Sequence, residues 1–283
     1  MVDPDEQRRA ILDQWERSAA GWRVRRAELQ RVAAPVSQWM VEAIAPQPGE
    51  TILELAAGPG DTGLMAAELI RPGGRLISSD ASDAMLEIAS ERAHELGLED
   101  VVEQRRIEAE WIDLPAASVD AVLCRWGYML MTDPGAALRE TRRVLRPGGR
   151  LALAAWGTAA ENPWASAGAD AVRRLLGQPP PDPAGPGMFA FAAPGRLEQL
   201  LEDAGFTEPL VDSVDLRFVH PSFQHWWEAR LDCAVPFADA LAGRPEADVQ
   251  QVRTELERAL EPYRTDDGGL AIPGRALVAA ARA

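Results

Sequence analysis

The chain has 283 residues, 47% of them apolar and 26% charged, enough for one large α/β domain or a core with a smaller lid. A chain of this length buries roughly three-quarters of its unfolded surface, which excludes disorder as its main state. Its formal charge of −15, from 44 acidic against 29 basic residues and with no cluster of arginines, argues against nucleic acid or an anionic bilayer as the bulk partner.

In chain order, residues 5 to 45 predict helices: Ile11, Trp15, Ala19 and Trp22 fall at helical spacing, and Val41 and Ile44 begin a second apolar stripe that Pro46 and Pro48 stop. From Thr51 the rhythm changes. Thr51-Ile52-Leu53-Glu54-Leu55-Ala56 is a short apolar run ending in a glycine loop, and a helix pattern starts near Asp61. Arg75–Ser79 reads as a second strand, Met85, Ile88, Ala89, Ala93 and Leu96 mark a helix face, Val101-Val102 suggests a third strand, and Asp120–Cys124 a fourth. A helix from about Pro134 to Leu145 ends at Arg146-Pro147-Gly148-Gly149, and Leu151–Trp156 is the fifth strand. A helix over 164–176 leads into the Pro/Gly-rich stretch Pro179–Gly187, read as an irregular insertion. A helix at 195–204, a strand at 209–218, two helices at 222–242 and 246–261, and a last strand at 270–281 follow. Short strands alternating with helices predict a doubly wound, Rossmann-like sheet.

Every basic residue other than histidine is arginine, so Schiff-base chemistry, a pyridoxal anchor and a phosphate-binding lysine are excluded. Cys124 and Cys233 cannot make a four-ligand zinc site alone, and the three histidines show no ligand-like spacing, so no metal is expected. No apolar run approaches a membrane span and the first residues are acidic and polar; a cytoplasmic chain without a leader is the expectation.

Gly58-Pro59-Gly60-Asp61-Thr62-Gly63 follows a strand and opens a helix, matching the GxGxxG spacing that lets main chain approach a nucleotide. Glu54 lies in the first strand, and Asp80 ends the second, where a carboxylate accepts both hydrogen bonds of a ribose diol. A nucleotide-derived ligand across the carboxyl ends of these strands follows.

The residues then resemble a known family. Glu54-Leu55-Ala56-Ala57-Gly58-Pro59-Gly60 is similar to the ExGxGxG signature of class I S-adenosylmethionine-dependent methyltransferases, and Asp80–Leu86 resembles their acidic loop after strand two. Glu108–Val122 is similar to DAExLPFPDxSFDxV, and Leu138–Leu151 to LxExxRVLxPGGxL. Trp15–Arg23 resembles the FDxxAxxYD motif of the ubiquinone/menaquinone-biosynthesis-like (methyltransferase type 11) branch. Three positions depart from the pattern: Glu108 stands where aspartate is usual, Arg23 where the motif has aspartate, and Asp113 where proline is common.

The resemblance implies a seven-stranded, mostly parallel sheet with the last strand antiparallel, N-terminal helices and a helical lid insertion. It divides the chain into an N-terminal lid (1–48), an S-adenosylmethionine-binding core (49–157), an insertion (158–206) and C-terminal strands and helices that complete sheet and lid (207–283). It places Ala56, Gly58 and Gly60 against the methionyl part of the cofactor, Glu54 toward its ammonium group, and Asp80 with Ala81 at the ribose. Glu108, Ala109 and Glu110 belong to the adenine side, and Arg125 and Trp126 to the site beside the sulfonium. Met85 is read either as an adenine contact or as core, and Trp22 and Trp15 either close over the cofactor or pack helix on helix. Cys124 reads as a buried hydrophobe.

Methyl transfer from a sulfonium is an in-line displacement that needs alignment more than acid–base chemistry. A phenolic acceptor would gain from a base, for which His220, His225 and Tyr128 are candidates, each with a bland capping or packing role beside it. The acceptor pocket is expected from Trp164, Met188, Phe189, Phe191, Phe223, Trp226, Trp227 and Phe237, for a small, partly apolar, aromatic or quinol-like molecule with O-methylation slightly favoured. The chain is expected as monomer or homodimer. Two rival readings stay open: a cofactor-binding protein with regulatory or scaffolding work and no catalysis, and a NAD-dependent oxidoreductase, which leaves Glu54 and the 108–122 block unexplained.

Overall fold

Strands too short and too apolar to stand alone must pair in a sheet with both faces covered, and helices between them supply the cover. The computed structural model describes residues 3–178, 180, 182 and 185–283. Helix α1 (Pro4–Ile44) precedes β1 (Thr51–Glu54), α2 (Asp61–Leu69), β2 (Arg75–Asp80), α3 (Asp83–Glu95), β3 (Val102–Arg106) and β4 (Val119–Arg125). Then come α4 (Pro134–Val144), β5 (Leu145–Trp156), α5 (Pro163–Leu176), α6 (Arg196–Asp203) and β6 (Thr207–His220). Helices α7 (Phe223–Cys233), α8 (Val235–Leu241) and α9 (Glu246–Leu260) and strand β7 (Leu270–Arg282) finish the chain.

The sheet order is β3-β2-β1-β4-β5-β7-β6. Strands β1 to β5 pair in parallel, and β7 runs antiparallel to both β5 and β6. This is the Rossmann-like, mostly parallel seven-stranded sheet expected, with its last strand reversed. Because the chain leaves β1 toward β2 on one side and returns to β4 on the other, the carboxyl ends of β1 and β4 diverge and open a crevice. No helix among the described residues is long and apolar enough to cross a membrane.

Three elements differ from expectation. The N-terminal region is one continuous helix of 41 residues, with Pro35 inside it, rather than two helices. Its two apolar stripes belong to one rod, roughly 60 Å long, that first crosses the crevice and then packs on the sheet's flank through Val36, Met40, Val41 and Ile44. Strand β5 starts at Leu145, so Arg146–Gly149 forms a kink within a strand; the Gly148 and Gly149 backbones bond to Ala283 and hold it in the ladder. The helix expected over 222–242 splits at Ala234 (φ −117, ψ 82), ahead of Pro236, whose ring lacks the donor that continuity needs. Of the Pro/Gly-rich stretch, Pro179, Pro181, Pro183 and Ala184 lie outside the described residues, as do Met1 and Val2.

Candidate active site

The crevice is a cavity of about 1260 Å³ including its open mouth, lined mainly by apolar surface. Its floor is the glycine loop, Ala56–Pro59, after β1. Its walls are Asp80–Ser82 with Met85, the segment Ile107–Glu110, and Arg125–Gly127 with Leu130–Thr132; α1 roofs it with Arg8, Arg9, Ile11, Leu12, Trp15 and Trp22.

Local backbone explains the floor. Gly58 holds φ +53, and a Cβ there would meet nothing within 4 Å, so the main chain itself faces the open cavity. Ala56 (φ 50) and Trp126 (φ 61), both lining residues, are held in the same left-handed region without glycine's freedom, which costs on the order of 1 kcal/mol each. Trp126 is braced by stacking on Trp156 at 4.2 Å between ring centroids.

Asp80 ties two walls together. Its Oδ2 accepts from Gly58 N at 2.9 Å and its Oδ1 from Ser82 N at 2.9 Å. Burial pushes this carboxyl above the usual range, against the opposing pull of the Ser82, Gly58 and Ala81 backbone donors. On α1, Glu16 accepts from Asp83 N at 2.7 Å and Ala84 N at 3.3 Å, so the roof helix caps α3 beside the Asp80 loop. At the other end, Glu110 accepts from Arg8 Nε at 2.5 Å, Thr132 Oγ1 at 2.7 Å and Asp133 N at 2.5 Å, joining roof to rim.

Under the floor lies a second layer of charge. Glu54 is 2% exposed; its Oε1 accepts from Gly63 N at 2.8 Å, and its Oε2 has no hydrogen-bond partner among the described residues. A Cβ on residue 63 would sit 2.2 Å from that Oε2, so only glycine admits this contact. Burial pushes the Glu54 carboxyl to about 8, although Gly63 N–H and the Arg125 charge pull the other way. Arg125 Nη2 lies 3.5 Å from Asp61 Oδ2, with its guanidinium 4.9 Å from the Trp126 ring centroid. Burial raises Asp61 and lowers Arg125.

Of the residues singled out from sequence, Trp22, Ala56, Gly58, Asp80, Ala81, Met85, Glu108, Ala109, Glu110, Arg125 and Trp126 stand around this one cavity. Glu54 and Gly60 do not line it: Glu54 is buried behind the first turn of α2, and Gly60 caps that helix. Met85 and Trp22 both pack on neighbouring helices and border the cavity. Met85 is 1% exposed and packs on Ala19 and Ile88 while bordering the cavity. Trp22 packs edge-on against Trp15 at 5.5 Å and donates from Nε1 to Cys233 O at 3.4 Å.

None of the three candidate bases lines the cavity. Tyr128 is 1% exposed, its hydroxyl 2.6 Å from Thr141 Oγ1, and burial holds its phenol well above the usual range. Thr141 donates to Ala137 O at 2.8 Å, so the tyrosine is the donor in their pair. Tyr128→Phe is therefore expected to cost about 1 kcal/mol in a denaturant titration and to leave turnover unchanged. His220 and His225 meet each other and Glu28 away from the cavity. Cys124 is fully buried with its thiol pushed up to about 12.

The aromatic residues expected at the acceptor pocket also lie elsewhere. Phe191, Phe223, Trp226, Trp227 and Phe237 belong to the hydrophobic core, with Trp164, Met188 and Phe189 packed against it. In their place the apolar wall is Ile11, Leu12, Trp15, Leu130 and Met131. The helix face of Ile11, Trp15, Ala19 and Trp22 was visible in the sequence; what it faces was not.

This sheet order, with a cavity at the carboxyl ends of β1, β2 and β4, is that of the class I methyltransferase fold. Residues 55–153 match the methyltransferase-domain family, and the chain is related through this segment to the ubiquinone/menaquinone-biosynthesis type of S-adenosylmethionine-dependent methyltransferase. One such relative, ubiquinone/menaquinone biosynthesis C-methyltransferase of Pasteurella multocida, is 37% identical over 103 residues, 36% of this chain and 38% of that one. The chain thus matches well under half the length of that curated relative. Two solved structures share the fold. A geranyl diphosphate methyltransferase in complex with S-adenosylmethionine aligns at TM-score 0.53 and 21% identity, over 93% of this chain and 91% of that one. The [4+2]-cyclase SpnF aligns at TM-score 0.55 and 20% identity, over 95% and 96%.

Proposed function

We propose that the protein transfers a methyl group from S-adenosylmethionine to a small, largely apolar acceptor, with an aromatic or quinol-like ring as the favoured class. The observation that carries this reading is the pairing of Asp80 with the bare main chain at Gly58 on one cavity floor: a carboxylate for a sugar diol beside backbone that a ligand can approach. The donor set fits a cationic cofactor. Asp80, Glu108 and Glu110 put carboxyl groups on the cavity wall; behind it Glu54 and Asp61 gather around the Arg125 guanidinium, with Glu54 Oε2 and both Asp61 oxygens lacking a hydrogen-bond partner among the described residues.

When bound, S-adenosylmethionine supplies an already activated methyl group. The chain's own work is to hold and to exclude water. Asp80 and Gly58 would hold the ribose and methionyl parts, Glu108 and Ala109 the adenine side, and Trp22 would offer a ring face to a sulfonium. The α1 roof and Leu130–Met131 keep the acceptor side dry. Histidine, tyrosine and cysteine are absent from the described wall, so the carboxyl groups of Asp80, Glu108 and Glu110 are its only side chains with general-base chemistry, and alignment of donor and acceptor carries most of the rate. The relative's name, a C-methyltransferase, supports carbon alongside oxygen as the atom methylated.

Because SpnF, a [4+2]-cyclase, has the same fold, the test separates binding from transfer. Calorimetry with S-adenosylmethionine, S-adenosylhomocysteine and NAD is expected to give binding by the first two; preference for NAD overturns the cofactor. A panel of phenols, quinols and amines with labelled methyl donor is expected to give label transfer. Tight donor binding with silence across the panel favours a non-methylating role.

A further inference from the structure

We propose that Glu28, His220 and His225 form a binding site for a divalent transition metal, zinc in the first instance, where α1 meets the junction of β6 and α7. The proposal stands apart from the methyl-transfer reading. One ligand atom from each residue falls within 4.8 Å of the others. His220 Nδ1 lies 3.0 Å from Glu28 Oε1 and 3.1 Å from His225 Nδ1. Zinc bonded tetrahedrally at about 2.0 to 2.1 Å sets its ligands about 3.3 Å apart, within a few tenths of an ångström of both separations. Two imidazoles and a carboxylate are a set that suits zinc and its neighbours.

Hydrogen bonding alone does not satisfy the cluster. Arg25 Nη1, which can only donate, lies 3.1 Å from His225 Nε2, so that nitrogen accepts and the proton of a neutral ring sits on Nδ1. His220 Nδ1 must then accept from His225 while the Glu28 oxygen at 3.0 Å calls on it to donate. One ring nitrogen cannot do both. A bound cation removes the conflict by taking a lone pair from each ring together with the carboxylate, which approaches His225 Nε2 to 3.7 Å through Glu28 Oε2. His225 Nε2 then carries the proton, and Arg25 turns to Asp232, to which its Nε already donates at 2.7 Å. Counting Arg25 (3.9 Å from Glu28 Oε2) with Glu28 and Asp232, the surroundings carry one net negative charge, which favours a cation. His220 is 7% exposed, whereas Glu28 (20%) and His225 (30%) leave a solvent side for entry and for a fourth, water ligand. Occupied, the site would pin α1 to β6 and α7 and so fix the helix that roofs the cavity.

The test uses the full-length protein stripped with chelator and titrated with zinc chloride, and separately with cobalt(II). The expected result is one equivalent bound, a rise in thermal midpoint, and the visible absorption of four-coordinate cobalt. Glu28→Gln and His225→Ala, both at partly exposed positions, are expected to weaken binding at least about tenfold, as loss of metal-site partners does, and to abolish the midpoint rise. No stoichiometric binding by the wild-type chain, or equal binding by both variants, which would mark an adventitious ion only, overturns the proposal.

Discussion

Asp80→Ala is expected to weaken the binding of S-adenosylhomocysteine by about 1 to 3 kcal/mol, roughly fivefold to 150-fold in affinity, as measured by calorimetry. Removal of the carboxylate deletes the acceptor proposed for the ribose diol. It also frees Gly58 N and Ser82 N, the donors that Asp80 now holds at 2.9 Å each, so the floor and the wall lose their tie. The two effects separate by comparing unfolding with binding. A loop-capping role alone predicts a lower unfolding midpoint with affinity unchanged once the protein is folded; a ribose role predicts lost affinity under conditions where both proteins are fully native. Asp80→Asn, which keeps one acceptor oxygen, falls between wild type and alanine. Unchanged affinity in the alanine variant removes Asp80 from the binding site.

What could be read from sequence divides along a physical line. Strand ends and the turns after them are local: Gly58, Asp80 and Trp126 follow directly from an apolar run that stops, and a parallel sheet brings such stops to one edge. The roof is not local. Arg8, Leu12 and Trp15 lie on a helix whose apolar stripe announces burial without naming its partner, and the Glu16 cap on α3 joins residues far apart in the chain. Tyr128 misled because it follows Trp126 by two places. The tight turn Tyr128–Leu130 rotates its ring away from the cavity into the core beside Thr141. The aromatic residues after 160 misled in the opposite way, since a core around an antiparallel strand pair uses the same residue types as an acceptor pocket. His220 and His225 are five residues apart across a change from strand to helix, and Glu28 reaches them from the first helix, a meeting that no spacing rule detects.

Glu54→Gln is expected to reverse in effect with pH: close to neutral for stability at pH 5, and stabilising by several kcal/mol at pH 8. The Glu54 carboxyl ionises near 4.5 in an unfolded chain and at about 8 in the folded one. Between those values the folded state holds a proton that the unfolded state has released, so each rise in pH favours unfolding, and stability present below about 4.5 declines until the folded group ionises near 8. Glutamine imitates the protonated acid. Its carbonyl can accept from Gly63 N as Oε1 does, and its amide replaces an oxygen that has no partner now. Urea unfolding across pH 5 to 8 reads the difference; Asp61 and Asp80, also raised by burial, leave a residual slope in the variant. An unchanged slope would place the Glu54 titration elsewhere. A buried acid that costs stability at neutral pH, set under the floor of a cavity with unpartnered oxygens, is a cost that a cationic ligand can offset and that folding alone does not require. The same substitution is therefore expected to leave affinity for S-adenosylmethionine unchanged at pH 6, where the acid holds its proton, and to lower it only above about pH 8, where the carboxylate has formed.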